Sequence, residues 1–250
     1  VLHQNSDASC YVLNAASRAR KIATIRSFYK YLTNKVHLIK ENPVKDLDSP
    51  KLKKTLPKYL TLEESVQLLS SVDGQNRERD YCILTLFLNC GLRISELCAL
   101  NTTDIQDDAL RVLGKGNKVR IVYLNDACKE ALNGYLAVRR PIVGRDQNAL
   151  FLSSRNERVS RSTVHALVKK HLGEAGLDST QYSAHKLRHT AATLMLQNGV
   201  DVKAVQEVLG HEHLNTTEIY THIDNEALRV AAKANPLSRV KPPKKNEAGK

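Results

Sequence analysis

His185 and Arg188 stand three residues apart in a stretch, 184–198, whose spacing predicts a helix, so both side chains share one face and can converge on one ligand. A proton-transfer group beside a cation that never loses its charge suits a phosphate ester. Two other readings of His185-Lys186-Leu187-Arg188-His189 stay open at this point. One is a solvated basic helix face. The other is a zinc site, because His185 and His189 have the spacing of helical ligands and His211 and His213 follow. The glutamate of H-E-x-x-H is missing, and no carboxylate-rich segment offers itself as a partner. Downstream, Leu209-Gly210-His211 lets the chain turn and presents a further imidazole, and Tyr220 follows nine residues later on a short helix predicted near 214–221. A phenol with a pKa of about 10 is a poor nucleophile unless base and cations surround it, and taken alone Tyr220 reads as a packing residue.

The elements that must carry these groups are mostly helical. Residues 17–36 place Ile22, Ile25, Tyr29, Leu32 and Val36 on one face and Arg20, Arg26, Lys30 and Asn34 on others, an amphipathic helix with a basic back. Glu41-Asn42-Pro43 ends regular structure there, and Pro50 to Pro57, with Lys51, Lys53 and Lys54, reads as an extended basic linker. Thr61-Leu62-Glu63-Glu64 has capping-box spacing and opens a new helix. A mostly apolar helix over 77–90 stops at Gly91, and Ile94–Leu100 restarts one, which puts Arg93 at a helix N-terminus. Residues 109–113 and 119–124 alternate and are β-branched, predicting a hairpin whose tip carries Lys115 and Lys118. Ala149-Leu150-Phe151-Leu152 reads as a third short strand, and helices are predicted over 162–175, 184–198, 201–209 and 225–234.

Five motifs now stand in order: Gly91-Leu92-Arg93-Ile94-Ser95-Glu96-Leu97, Gly114-Lys115-Gly116-Asn117-Lys118, His185-x-x-Arg188-His189, Leu209-Gly210-His211 and Tyr220. In that order and spacing the chain resembles the tyrosine recombinase (phage integrase) family, and within it the Xer-type recombinases, over about residues 15–235. The resemblance implies that Arg93, Lys115, His185, Arg188 and His211 are the activating residues and Tyr220 the nucleophile. It implies in-line attack on a DNA phosphodiester, a 3′-phosphotyrosyl link and a free 5′-hydroxyl. Religation by another strand would then proceed through a Holliday junction with no ATP, metal or cofactor. Lys118 competes with Lys115 for the role of general acid, and Glu96, one turn from Arg93, is expected to orient it.

The implied fold class is mainly α (α+β). A partial helical core-binding domain (SAM-like) would occupy 1–49, a basic linker 50–58, a catalytic domain with a small antiparallel sheet 59–235, and a disordered basic tail 236–250. Val1 in place of Met, and the shortness of the first domain, suggest a truncated chain. The apolar residues Ala227, Leu228, Val230 and Ala231 are expected to dock on a neighbouring protomer, giving a homotetramer on two DNA sites from a protein that is monomeric or weakly associated alone. Docking on its own core is the alternative.

Composition agrees with a DNA partner. Lys and Arg number 38 against 26 Asp and Glu, a net charge of +12, while no Trp and three Phe disfavour a reader that stacks bases on aromatic platforms. Arg20, Arg26, Lys30, Lys53, Lys54, Lys118, Arg155, Arg158, Arg161 and Lys169 are the candidate contacts to double-stranded DNA. An odd five cysteines without a C-x-x-C pair suggest buried, reduced thiols. No apolar run is long enough for a membrane span, so the expected setting is the cytoplasm, at a nucleoid. Accessory DNA-bending or directionality factors are compatible. The biological role is expected to be dimer resolution or integration and excision of a mobile element. A type IB topoisomerase-like activity and a non-catalytic DNA-binding protein are the competing readings.

Overall fold

The computed structural model describes residues 13–51, 58–142, 146–210 and 225–243, leaving aside the side chains of Lys115, Asn225 and Glu226. The chain divides into two compact units, Val1–Pro57 and Lys58–Lys250. In the first, helix α1 (Ala15–Asn34) starts where the Asn14 side chain accepts a bond from the Ser17 amide at 2.7 Å. None of its residues is buried: Ile25, Phe28 and Tyr31 stay exposed, so the apolar face anticipated from spacing has no core beneath it among the described residues.

The second unit is built around α3 (Arg77–Cys90). From Arg79 to Cys90 every residue of this helix is buried, which only a helix covered on all sides can tolerate. Its cover comes from α2 (Leu62–Ser70), α5 (Asp126–Val138) and α7 (Ala184–Gln197). Helix α2 begins at the expected capping box: Thr61 Oγ1 accepts from the Glu64 amide at 3.1 Å and Glu64 Oε2 from the Thr61 amide at 2.8 Å. Helix α4 (Ile94–Ala99) packs on α6 (Arg161–Glu174), and a buried bond of 3.1 Å between His171 and Asp80 pins α6 to the start of α3. Cys82, Cys90, Cys98 and Cys128 are free and buried; Cys10 lies outside the described residues.

A three-stranded antiparallel sheet runs β1 (Ile105–Gln106), β2 (Ala109–Leu113), β3 (Val119–Tyr123) in spatial as in chain order. The hairpin has the anticipated strands, with Leu110 opposite Val122 and Leu113 opposite Val119. The third strand is not the one expected. Ala149 and Leu152 form only isolated bridges, to Asn101 and Arg158, and the third place in the sheet is taken by β1. Residues 149–152 are almost wholly buried, so their apolar character marks core rather than a ladder position.

Helix α8 (Val202–Leu209) and helix α9 (Asn225–Lys233) pack together over a smaller apolar cluster of Met195, Val205, Val208, Leu209 and Ala231. Helix α9 therefore lies on its own chain, and further bonds hold it there: Asn125 Nδ2 donates to the Ala232 carbonyl at 3.1 Å, and Arg229 pairs with Asp108 while lying over the Tyr123 ring. Residues 236–243 are not the disordered tail expected. Pro236–Arg239 forms a 3-10 turn that buries Leu237 completely, and Asn235 Nδ2 donates to the Leu88 carbonyl at 3.0 Å. Residues 244–250 lie outside the described residues. Among the described residues no helix is long and apolar enough to cross a membrane.

Candidate active site

The site grows from the turn between α3 and α4. Gly91 ends α3 with φ 57°, in the left-handed region, and a Cβ there would collide with the Leu209 side chain. The chain then rises through buried Leu92 to Arg93, the residue at the N-terminal boundary of α4 as anticipated. Glu96, one turn later, takes two bonds from Arg93: its Oε2 from the amide at 2.8 Å and its Oε1 from Nη1 at 2.7 Å. The expected orienting role of Glu96 thus has its geometry. Nη2 of Arg93 donates onward to the Gly210 carbonyl at 2.8 Å.

Arg188 reaches the same place from α7. It donates Nη1 to the Gly91 carbonyl and Nη2 to the Leu209 carbonyl, the latter at 2.6 Å, and Nη1 stands 4.0 Å from Glu96 Oε2. A third arginine, Arg120 on β3, completes the cluster and was not singled out in the sequence. It donates Nη1 and Nη2 to Oε1 and Oε2 of Glu96, both at 2.8 Å, and Nε to the Val208 carbonyl at 3.4 Å. The signal for it was present: Arg120 shares a strand face with buried Val122, so alternation points a charge inward, where it needs a partner.

Electrostatics follow from this packing. Glu96 is only 3% exposed, and burial works against its charge. The bonds from Arg120, the Arg93 amide and the Arg93 guanidinium outweigh burial and hold its carboxyl down at about 2. For Arg188 burial, then the neighbouring Arg93, pull the guanidinium down to about 10, which leaves it charged at neutral pH. The carbonyls of residues 208–210 form the C-terminal end of α8, where the helix presents its negative partial charge to cations.

His185 is exposed on the first turn of α7 and, with Arg188 and His189, lines a cavity of about 290 Å³ whose other wall is Val202, Val205, Gln206 and Leu209. Burial, with Lys186 and His185 nearby, lowers the His189 pKa. So the predicted helix face does bring His185 and Arg188 to one concavity. Lys115 sits in the short 3-10 turn Lys115–Asn117 between β2 and β3, which a bond of 2.8 Å from the Gly114 amide to the Lys118 carbonyl closes; Lys118 is exposed there. His211, His213 and Tyr220 lie outside the described residues, as do Lys53 and Lys54. Among the described residues no group of three His, Cys, Asp or Glu side chains is arranged to hold a metal ion.

The surface cations divide. Arg20, Lys30, Arg155, Arg161 and Lys169 are exposed. Arg26 is engaged within its own unit by Ser49 Oγ and the Leu47 carbonyl. Arg158 has a structural occupation that competes with groove contact: it donates to the carbonyls of Cys98 and Leu100 at 3.1 and 2.9 Å and to Asn101 Oδ1 at 2.7 Å.

Comparison with known proteins adds an independent observation. Residues 58–227 match the Phage integrase family. The chain is 56% identical over 224 residues to a tyrosine recombinase XerC of Caldanaerobacter subterraneus, covering 89% of this chain and 64% of that protein. It is 40% identical to a tyrosine recombinase XerD of Proteus mirabilis, covering 86% of this chain and 71% of that one. Among solved structures, the XerA recombinase is 32% identical with a TM-score of 0.58, over 87% of this chain and 74% of that one. XerH bound to its difH substrate before cleavage is 27% identical with a TM-score of 0.63, over 90% and 67%.

Proposed function

Because the chain belongs to the phage integrase family of tyrosine recombinases, we propose that it cuts and rejoins duplex DNA at a specific site through a covalent 3′-phosphotyrosyl intermediate on Tyr220. The observation that carries this reading is the convergence of Arg93 and Arg188, from α4 and α7, on the carbonyls of Gly210 and Leu209, the residues leading directly into His211. Two permanently charged guanidiniums at one spot answer the charge that builds on the non-bridging oxygens of a phosphodiester in the transition state. With DNA bound, their Nη atoms would exchange carbonyl partners for phosphate oxygens.

The remaining roles follow the same logic. His185, on the cavity wall beside Arg188, takes the proton from the Tyr220 hydroxyl as its oxygen attacks phosphorus. Lys115 gives a proton to the departing 5′-oxygen, with Lys118 the competitor on the same turn. His211 donates a hydrogen bond to the phosphate. The phosphotyrosyl ester conserves the energy of the broken bond, so attack by a second strand's 5′-hydroxyl closes the exchange without ATP.

The relatives named XerC and XerD, 56% and 40% identical, favour an Xer-type role over that of a phage integrase. Assembly of four chains on two sites, with α9 exchanged between protomers, would require the Arg229–Asp108 pair and the Asn125–Ala232 bond of the single chain to be broken and remade on a neighbour.

The test is covalent trapping. A nicked duplex is selected from a randomised library by adduct formation with the wild-type chain, and the same duplex is then offered to Tyr220→Phe. The expected result is an adduct with the parent and none with the variant; an adduct with Tyr220→Phe removes the nucleophile assignment.

A further inference from the structure

Three successive carbonyls at the end of α8 each receive a guanidinium from a different element: Val208 from Arg120 on β3, Leu209 from Arg188 on α7, and Gly210 from Arg93 at α4. Two of these arginines are explained by the phosphate they would hold. Arg120 is not, because both its terminal nitrogens are committed to Glu96. We propose that Arg120 is a positioning residue for the cleavage step, setting the charge and the placement of Arg93 through Glu96; this rests on the recombinase reading above.

The first part of the argument is electrostatic. Among the described residues Arg93, Arg188 and Arg120 face one carboxylate, that of Glu96, so these four side chains carry a surplus of two positive charges. Arg120 engages both oxygens of Glu96, with two bonds of 2.8 Å in the bidentate geometry that pairs guanidinium and carboxylate best, whereas the Arg93 guanidinium reaches Oε1 alone. By sharing Glu96 with Arg93 it leaves Arg93 Nη2 and the Arg188 guanidinium, now on the Gly210 and Leu209 carbonyls, to answer an incoming phosphate. Without Arg120 the carboxylate would be neutralised by Arg93 instead, and the surplus at the phosphate site would fall to one.

The second part is geometric. Among the described residues, the contacts of Arg120 reach three of the segments that deliver active-site groups: the Lys115 turn, the start of α4 and the end of α8. Its Nη1 lies 3.5 Å from where a Cβ on Gly114 would stand, beside the turn that carries Lys115. Its bonds to Glu96 set the carboxylate that holds Arg93. Its Cδ, Nε and Cζ lie 3.0–3.2 Å from where a Cβ on Gly210 would stand, so this turn, with φ 64°, closes directly over the Arg120 side chain before His211. Losing the arginine would let the three segments settle independently, and misplacement of catalytic groups by an ångström costs about 100-fold in rate.

The experiment is single-turnover cleavage of the selected nicked duplex, with affinity for the same duplex measured in parallel. Arg120→Ala is expected to lower the cleavage rate at saturating DNA by about 100-fold, with affinity changed less than about 3-fold because surface phosphate contacts carry binding. Arg120→Lys restores the charge but not the paired bonds, and is expected to recover the unfolding midpoint and only part of the rate, remaining about 10-fold slow. Wild-type cleavage by Arg120→Lys, or a loss confined to affinity, overturns the proposal while leaving the recombinase reading intact. No adduct from the parent chain overturns both.

Discussion

The Leu209 side chain occupies the space where a Cβ on Gly91 would stand, so the turn after α3 and the end of α8 touch with no atom to spare. Gly91 also holds φ 57°, where a side chain is strained. Gly91→Ala should therefore cost about 2 kcal/mol, from the left-handed backbone plus a forced rotation of Leu209 within a packed cluster. Urea unfolding checks it. Because the Gly91 carbonyl accepts from Arg188, cleavage should fall further than stability alone explains.

Among the described residues Glu96 is the one counter-charge shared by three arginines, and removing its charge should be expensive. Glu96→Gln leaves the half-buried Arg93 and the more deeply buried Arg120 and Arg188 without that carboxylate, an expected loss of about 3 kcal/mol at neutral pH. Differential scanning calorimetry of the two proteins side by side would register it.

The same residue predicts a pH dependence. Its carboxyl titrates near 2 in the fold against 4.5 for the free group, because the arginines override burial. A depressed carboxylate contributes its full stability above pH 4.5 and loses it as pH falls toward 2. The stability gap between the parent and Glu96→Gln should accordingly be constant from pH 7 to about 5 and narrow steadily below that. A gap that stays level in acid would mean that the carboxylate is not the source.

Arg158 and its exposed neighbours should separate cleanly. Arg158→Ala removes bonds to two carbonyls and to Asn101, and should destabilise the fold by about 2 kcal/mol while leaving the salt dependence of DNA binding untouched. Arg155, Arg161 and Lys169, exposed at or near α6, should show the opposite: near-neutral stability, and a salt slope reduced by about 1 for each one that contacts phosphate. Urea midpoints and binding titrations at several salt concentrations give both readouts.

The parent chain, with its charge of +12, should bind duplex DNA with strong salt dependence. Six or more neutralised phosphates correspond to a loss of about 1,000-fold between 50 and 200 mM salt. A nearly flat titration would exclude phosphate contact as the main source of affinity.

Local signals were easy to read where one element explains itself. The capping box at Thr61, the Gly91 stop, the β-branched hairpin and the Gly210 stop all form where spacing and turn chemistry place them. Helix α5 has no counterpart among the predicted elements, although Asn125 caps it and Ala127, Cys128, Ala131, Leu132 and Tyr135 recur at helical spacing along its buried face, a signal the sequence does carry. Other features depended on neighbours. Residues 149–152 looked like a strand because burial and ladder pairing select the same apolar residues. Leu237 lay hidden in a Pro/Lys-rich stretch whose composition says nothing of the pocket that receives it.

By itself the sequence determined the chemical inventory: which residues can hold a phosphate, move a proton or attack, and the helices and hairpin on which the described ones ride. Tertiary structure decided how charge is shared among them. Arg93, Arg120 and Arg188 come from three elements far apart in the chain, and no periodicity relates them to one another. Only the packing that buries Glu96 between them, and brings the end of α8 against all three, turns separate basic residues into one cationic site, because a carboxylate removed from water must take its partners from whatever folds beside it.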